Sequence, residues 1–162
     1  MHADDRWGIL DTVTRYFTAI DRRDFALLRE VFTPDVDAVY EGVQVAGGID
    51  ALLAFVTGTS DIRLPVDVVD LQLSMHLIGN HVAVVEGDVA RAESYALAHL
   101  VDRPPSGTRM RTRGLRYQDE LVRTPQGWRI RRREHLCDWM RLDDLQWAAD
   151  KVMPGRLVVP PS

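Results

Sequence analysis

At 162 residues, 46% hydrophobic and 27% charged, with a formal net charge of −4, the chain has the make-up of a single globular domain over 1–162, able to bury roughly two-thirds of its unfolded surface without disulfides or a structural metal. One cysteine, Cys137, excludes an intrachain disulfide framework and a Cys-rich zinc site, and the lone lysine among 20 basic residues, Lys151, sits near the C-terminus beside Asp150, a poor place for a Schiff base. The mild acidity argues against a dedicated nucleic-acid binder, no run approaches the ~20 apolar residues of a membrane span, and no signal-peptide pattern opens the chain, so a cytoplasmic protein is expected.

Ile9, Leu10, Val13, Tyr16, Phe17 and Ile20 recur at steps of three and four, the stripe of an amphipathic helix from about Asp4 to Ile20. A second short helix is expected from Asp24, a good N-cap, to Phe32, with Thr33-Pro34-Asp35 stopping it. A short strand follows at Asp37–Tyr40, then Gly47-Gly48 leading into a third helix, Ile49–Val56. From Leu71 the pattern turns to β: a strand to Ile78, a hairpin turn at Gly79-Asn80, and a return strand His81–Glu86 before the Gly87-Asp88 turn. Long strands are expected at Val89–Val101 and Thr108–Arg123, and a last one at Trp128–Arg133; the tail from Asp138 carries Trp139, Leu142, Leu145 and Trp147 at near-helical spacing. The expected class is α+β, a cone-shaped α+β barrel with three N-terminal helices packed in a curved antiparallel sheet and an apolar cavity between the first helix and the sheet.

Several residues could carry chemistry in such a cavity. Tyr16 and Asp21 diverge by ~140° on a continuous helix, so they converge only if the helix ends near Ile20; Asp21 reads equally as the cap of the second helix and Tyr16 as a core aromatic. His76, amid the apolar Ser74–Ile78 strand, needs a partner for a ring nitrogen, and a buried imidazole can work as a base near neutrality. His99 shares the parity of Tyr95 and Leu97, with small alanines beside it. His81 and His2 are expected to face solvent, and His135 is ambiguous. The histidines show no short metal-ligand spacing. Arg109, Arg111, Arg113 and Arg129, Arg131, Arg133 alternate along two strands, which reads as a solvated outer face, although one of them could point into the cavity to hold an anion. With no Gly-rich phosphate loop, nucleophile elbow or Cys/His pair, the Tyr/Asp/His inventory suits proton transfer next to a carbonyl.

Arg15-Tyr16-Phe17-Thr18-Ala19-Ile20-Asp21-Arg22-Arg23-Asp24, Val31-Phe32-Thr33-Pro34-Asp35, Tyr40-Glu41-Gly42, Met75-His76-Leu77-Ile78-Gly79-Asn80, Glu86-Gly87-Asp88-Val89-Ala90 and Gly127-Trp128-Arg129-Ile130 together resemble the NTF2-like superfamily, and within it the SnoaL-like branch that includes scytalone dehydratase and bile acid 7α-dehydratase. The resemblance covers nearly the whole chain. It implies Tyr16, Asp21, His76 and His99 as the catalytic set, Tyr40 and Tyr117 beside the substrate with Phe17 and Leu97, no cofactor and no metal. By the same resemblance His99, held near Asp21, takes the proton while Tyr16, Tyr40 or His76 assists departure of a hydroxyl or holds a carbonyl oxygen.

Ketosteroid isomerases share the Arg-Tyr start, but this chain has Tyr40 where they carry the base Asp, and the Asp-Arg-Asp relay of limonene epoxide hydrolase is not visible. The expected function is a dehydratase or isomerase acting on a small, apolar, cyclic, carbonyl-bearing substrate of polyketide or steroid type. The alternative is a non-catalytic ligand-binding or assembly subunit, such as the small subunit of a ring-hydroxylating dioxygenase, in which no histidine contacts Asp21. An apolar outer sheet face implies a homodimer or homotrimer, with neither nucleic acid nor membrane as partner.

Overall fold

The computed structural model describes residues 3–62 and 71–145. The first helix, α1, runs Ala3–Arg22, and α2 follows at Phe25–Val31. Ile9, Val13, Tyr16 and Phe17 form the buried stripe of α1, while Asp4 and Asp5 in its first turn and Arg22 in its last complement the helix dipole. The helix does not end at Ile20. It runs two residues further, to Arg22, and closes with Arg23 in the left-handed region at φ 56°, the Arg23 N–H on the Ile20 carbonyl and the Asp24 N–H on the Ala19 carbonyl, the pattern of a Schellman cap. Asp24 then caps α2 by accepting from the Leu27 N–H at 3.2 Å. Capping is thus done by Asp24, which leaves the Asp21 carboxylate to another partner.

Strand β1 covers Phe32–Tyr40, β2 Val43–Val45 and α3 Gly48–Val56. Gly48 is obligatory where α3 begins: at φ 69° a Cβ would stand 2.4 Å from the Pro34 carbonyl oxygen. The long strands are β3 at Leu71–Glu86, β4 at Val89–Asp102, β5 at Arg109–Thr124 and β6 at Gly127–Asp144. Their order, β2-β1-β6-β5-β4-β3, is an antiparallel meander from β3 to β6, closed off by β1. That last neighbour is parallel to β6, so the sheet is mixed where an all-antiparallel one was expected, and with β2 and β3 as edges it is an open, curved sheet rather than a closed barrel. The three helices pack on its inner face, where the core lies.

Two bulges matter for function. Gly79-Asn80 is not a hairpin turn: β3 runs straight through it, and Ile78 pairs with Ala96 while His81 pairs with Ser94, one extra residue on β3. The real turn is at Gly87-Asp88, between Glu86 and Val89, which pair. The second bulge sits on β6 at Arg131, between the Leu121–Ile130 and Glu120–Arg132 pairs. Side-chain parity reverses there. Trp128 and Ile130 face the core before it, and Arg133 and His135 face the core after it. The segment Asp138–Asp144, expected to begin a helix, continues β6; Trp147 and the rest of the tail lie outside the described residues.

The arginines correct the expectation of a solvated face. Arg111, Arg113 and Arg133 are buried, Arg109 and Arg129 are partly buried, and only Arg131 of the six is exposed. Odd positions on β5 point inward from Arg111 to Leu121, so Arg113 shares the inner face with Tyr117. Arg133 is sealed, making a two-point contact with Asp119 at 2.7 Å on both arms, and its guanidinium lies 3.9 Å from the Tyr16 ring centroid and 4.8 Å from that of Tyr117. His81 also faces inward, its Nδ1 2.8 Å from the buried Ser94 hydroxyl.

Candidate active site

Between α1, α3 and the inner face of the sheet lies a cavity of about 580 Å³, lined among others by Tyr16, Tyr40, Ser74, His76, Ala98, Arg113, Tyr117 and His135. That volume is in the range of small-molecule sites. Phe17 and Asp21, one turn apart on α1, fall on the same helix face, and they grip His76 between them. The Phe17 ring stacks on the imidazole at 5.3 Å with 14° between planes. Asp21 takes the Nδ1 edge, Oδ1 to Nδ1 2.7 Å, and accepts from the His76 backbone N–H at 2.8 Å through Oδ2. The Ser74 hydroxyl donates to Asp21 Oδ1, also at 2.8 Å.

Asp21 is half-buried, which raises its pKa, but the bonds from the His76 ring and backbone and from Ser74 outweigh burial and hold the carboxyl below its usual range. A carboxylate only accepts, so the neutral form of the His76 ring has its proton on Nδ1 and its lone pair on Nε2. Asp21 is not among the residues that line the cavity; it orients His76, which is.

Across the cavity, the Tyr16 and Tyr40 hydroxyls share a hydrogen bond at 3.2 Å. Burial pushes the Tyr40 and Tyr117 hydroxyls well above the usual phenol value, so both remain protonated donors. Tyr40 also stacks on His135 at 5.0 Å, and Tyr117 meets the same ring edge-on at 4.9 Å. His135, 3% exposed, is pushed down to about 3 by burial and by the neighbouring Arg113 and Arg133. It is a neutral imidazole. Arg113 forms an ion pair with Glu41, on the turn after β1.

Of the residues expected from sequence, Tyr16, His76, Tyr40 and Tyr117 line the cavity, and Asp21 and Phe17 stand immediately behind His76. His99 and Leu97 do not belong. On β4 the inward residues are Ala92, Ser94, Ala96 and Ala98, so the strict alternation of a strand places Tyr95, Leu97 and His99 on the outer face. There His99 Nδ1 lies 3.2 Å from the Thr112 hydroxyl. The base role expected for His99 falls to His76, the histidine that Asp21 reaches. The sequence allowed one of the six arginines into the cavity without saying which, and left His135 ambiguous: parity with Tyr117 was the available signal for Arg113, whereas the β6 bulge hides His135 from any period-two count. Among the described residues no three His, Cys, Asp or Glu side chains converge as metal ligands would, and no helix is long and apolar enough to cross a membrane.

The SnoaL-like domain family matches residues 1–134. An uncharacterized protein of Mycobacterium tuberculosis, Rv2910c, is 34% identical over 131 residues, covering 80% of this chain and 82% of that protein. Among solved structures, a Novosphingobium aromaticivorans protein described as a candidate scytalone dehydratase aligns with a TM-score of 0.69 at 19% identity, over 87% of this chain and 89% of the other. Hexachlorocyclohexane dehydrochlorinase LinA-type3 of Novosphingobium barchaimii aligns with a TM-score of 0.68 at 17% identity, over 96% and 94%. At these identities the two structures share the fold with this chain.

Proposed function

The chain belongs to the SnoaL-like domain family of the NTF2-like superfamily, and on that premise we propose that it is a cofactor-independent lyase or isomerase working by proton transfer on a small cyclic, carbonyl-bearing molecule of polyketide or steroid type. The observation that carries this reading is the 2.7 Å contact between Asp21 and His76 at the wall of the cavity. A histidine held by a carboxylate at Nδ1 is arranged to accept a proton at Nε2. A ligand-binding or assembly subunit has no need of that contact. Two structural neighbours are named for eliminations, one of water and one of hydrogen chloride, which supports the same class of step.

In the proposed step His76 Nε2 takes a proton from the carbon beside the carbonyl. The electron pair of that bond moves onto the carbonyl oxygen as an enolate, which collapses to the conjugated enone as the C–O bond of a β-hydroxyl breaks; a proton from the Tyr16–Tyr40 pair joins the departing oxygen as water, and the proton on His76 returns to that pair to restore the site. Return of the proton to another carbon, with no C–O cleavage, gives isomerisation. Incubation with a panel of cyclic β-hydroxyketones, followed by the ultraviolet absorbance of the conjugated enone, tests the reading. The wild type forms enone, and His76→Ala loses on the order of 100-fold or more in kcat. If His76→Ala and Asp21→Asn both turn over every substrate at the wild-type rate, the assignment is wrong.

A further inference from the structure

His76 and Arg113 occupy one row of the sheet. His76 pairs with Ala98 on β4, and Ala98 pairs with Arg113 on β5. Two strand spacings separate the two backbones by roughly 10 Å, and the side chain between them is only a methyl group. All three residues line the cavity, so Ala98 forms a floor with His76 on one side and Arg113 on the other.

Arg113 and His135 are 6% and 3% exposed. Even so, Arg113 Nε and His135 Nδ1 are buried without a hydrogen-bond partner among the described residues. An unmet buried donor is costly to the fold, and here both belong to cavity-lining side chains. Glu41 does not satisfy them: it engages Arg113 through Nη2, and its Oε1 is 3.9 Å from His135 Nδ1, beyond a hydrogen bond. What Glu41 does is fix the guanidinium and, by its charge, favour the tautomer with the proton on Nδ1. His135 then offers a neutral N–H next to a cationic one.

We propose that Arg113 Nε–H and His135 Nδ1–H form an oxygen-binding subsite that holds the substrate's carbonyl and the enolate oxygen it becomes when His76 removes the proton. The identity of that oxygen rests on the function proposed above; the subsite itself rests on the two orphaned donors. Fixed donors aimed at an oxygen that gains charge act on the transition state more than on the ground state. The ligand class is therefore a ketone or aldehyde whose oxygen sits across Ala98 from His76.

A phenolate is a stable stand-in for an enolate. Equilibrium dialysis with 4-nitrophenol, at a pH where the free phenol is ionised, is compared with 4-nitrotoluene, in which a methyl group of nearly the same size replaces the charged oxygen. The wild type binds the phenolate at least tenfold more tightly, about 1.4 kcal/mol. The Arg113→Met/Glu41→Gln double variant, which removes both members of the ion pair and so leaves no unpaired charge, drops the preference to about twofold or less, and Arg113→Lys restores part of it. His76→Ala keeps the preference, so failure of the catalytic reading and failure of the subsite are seen in different measurements. Equal binding of the two probes by the wild type, binding of neither, or a preference that survives in the double variant overturns the proposal.

Discussion

Asp21 holds His76 at two points, the ring Nδ1 through Oδ1 and the backbone N–H through Oδ2, at 2.7 and 2.8 Å. The double contact fixes both the tautomer of the imidazole and the place of its strand against α1. Asp21→Asn keeps the shape but loses the acceptor-only character, so the ring can turn over its proton to the wrong nitrogen. The expected result is a fall in kcat of about 100-fold with little change in KM. Ser74→Ala removes one hydrogen bond to the same carboxylate but leaves both contacts with His76 in place, and should cost no more than about tenfold. Steady-state kinetics on any accepted substrate checks the ranking, and equal losses would place Asp21 in a packing role.

His135 should make the fold sensitive to acid. In the unfolded chain its imidazole titrates near 6.5, but in the folded protein burial and two arginines hold it near 3. Between those values the unfolded state binds a proton that the native state refuses, so stability rises with pH across that window and falls as the solution is acidified through it. The slope from this one group approaches 1.4 kcal/mol per pH unit. Burial lowers the pKa of His81 as well, which adds to the same trend. Urea unfolding at a series of pH values should therefore show a flatter dependence for His135→Gln, and an unchanged slope would mean that the imidazole charges freely in the native cavity.

The Arg133–Asp119 pair should be costly to break singly. Both side chains are fully buried, and Arg133 also lies against Tyr16, Tyr117 and Phe32. Removing one partner strands a charge in the core, so Asp119→Leu and Arg133→Met should each lose about 3–5 kcal/mol. Combining Asp119→Leu with Arg133→Met should lose less than the sum of the two single changes. Denaturant unfolding of the three variants measures the coupling, and strict additivity would show that the pair contributes no specific interaction.

The elements of this fold were legible because their signals are local. The stripe on α1, the Asp24 cap, the Gly87-Asp88 turn and the long β runs each depend on residues a few positions apart. The errors came where the chain departs from strict periodicity. Gly79-Asn80 looks like a hairpin turn to any reading of four consecutive residues, and only the pairing of Ile78 with Ala96 and His81 with Ser94 makes it a bulge. His99 was misplaced because parity says which residues share a face, not which face is inside.

By itself, the sequence determined the apolar stripe of α1 that carries Tyr16 and the strand that carries His76, since local periodicity sets both, while Asp21, Tyr40 and Tyr117 were implied as pocket residues by the family resemblance. Only the tertiary structure decided which histidine Asp21 reaches, and that Arg113 and His135 join the cavity. Those outcomes depend on one extra residue in β6 and on the curvature that brings β3, β5 and β6 around the same space. An inserted residue reverses the face of every side chain after it, and that reversal is fixed by pairing with a strand far away in sequence.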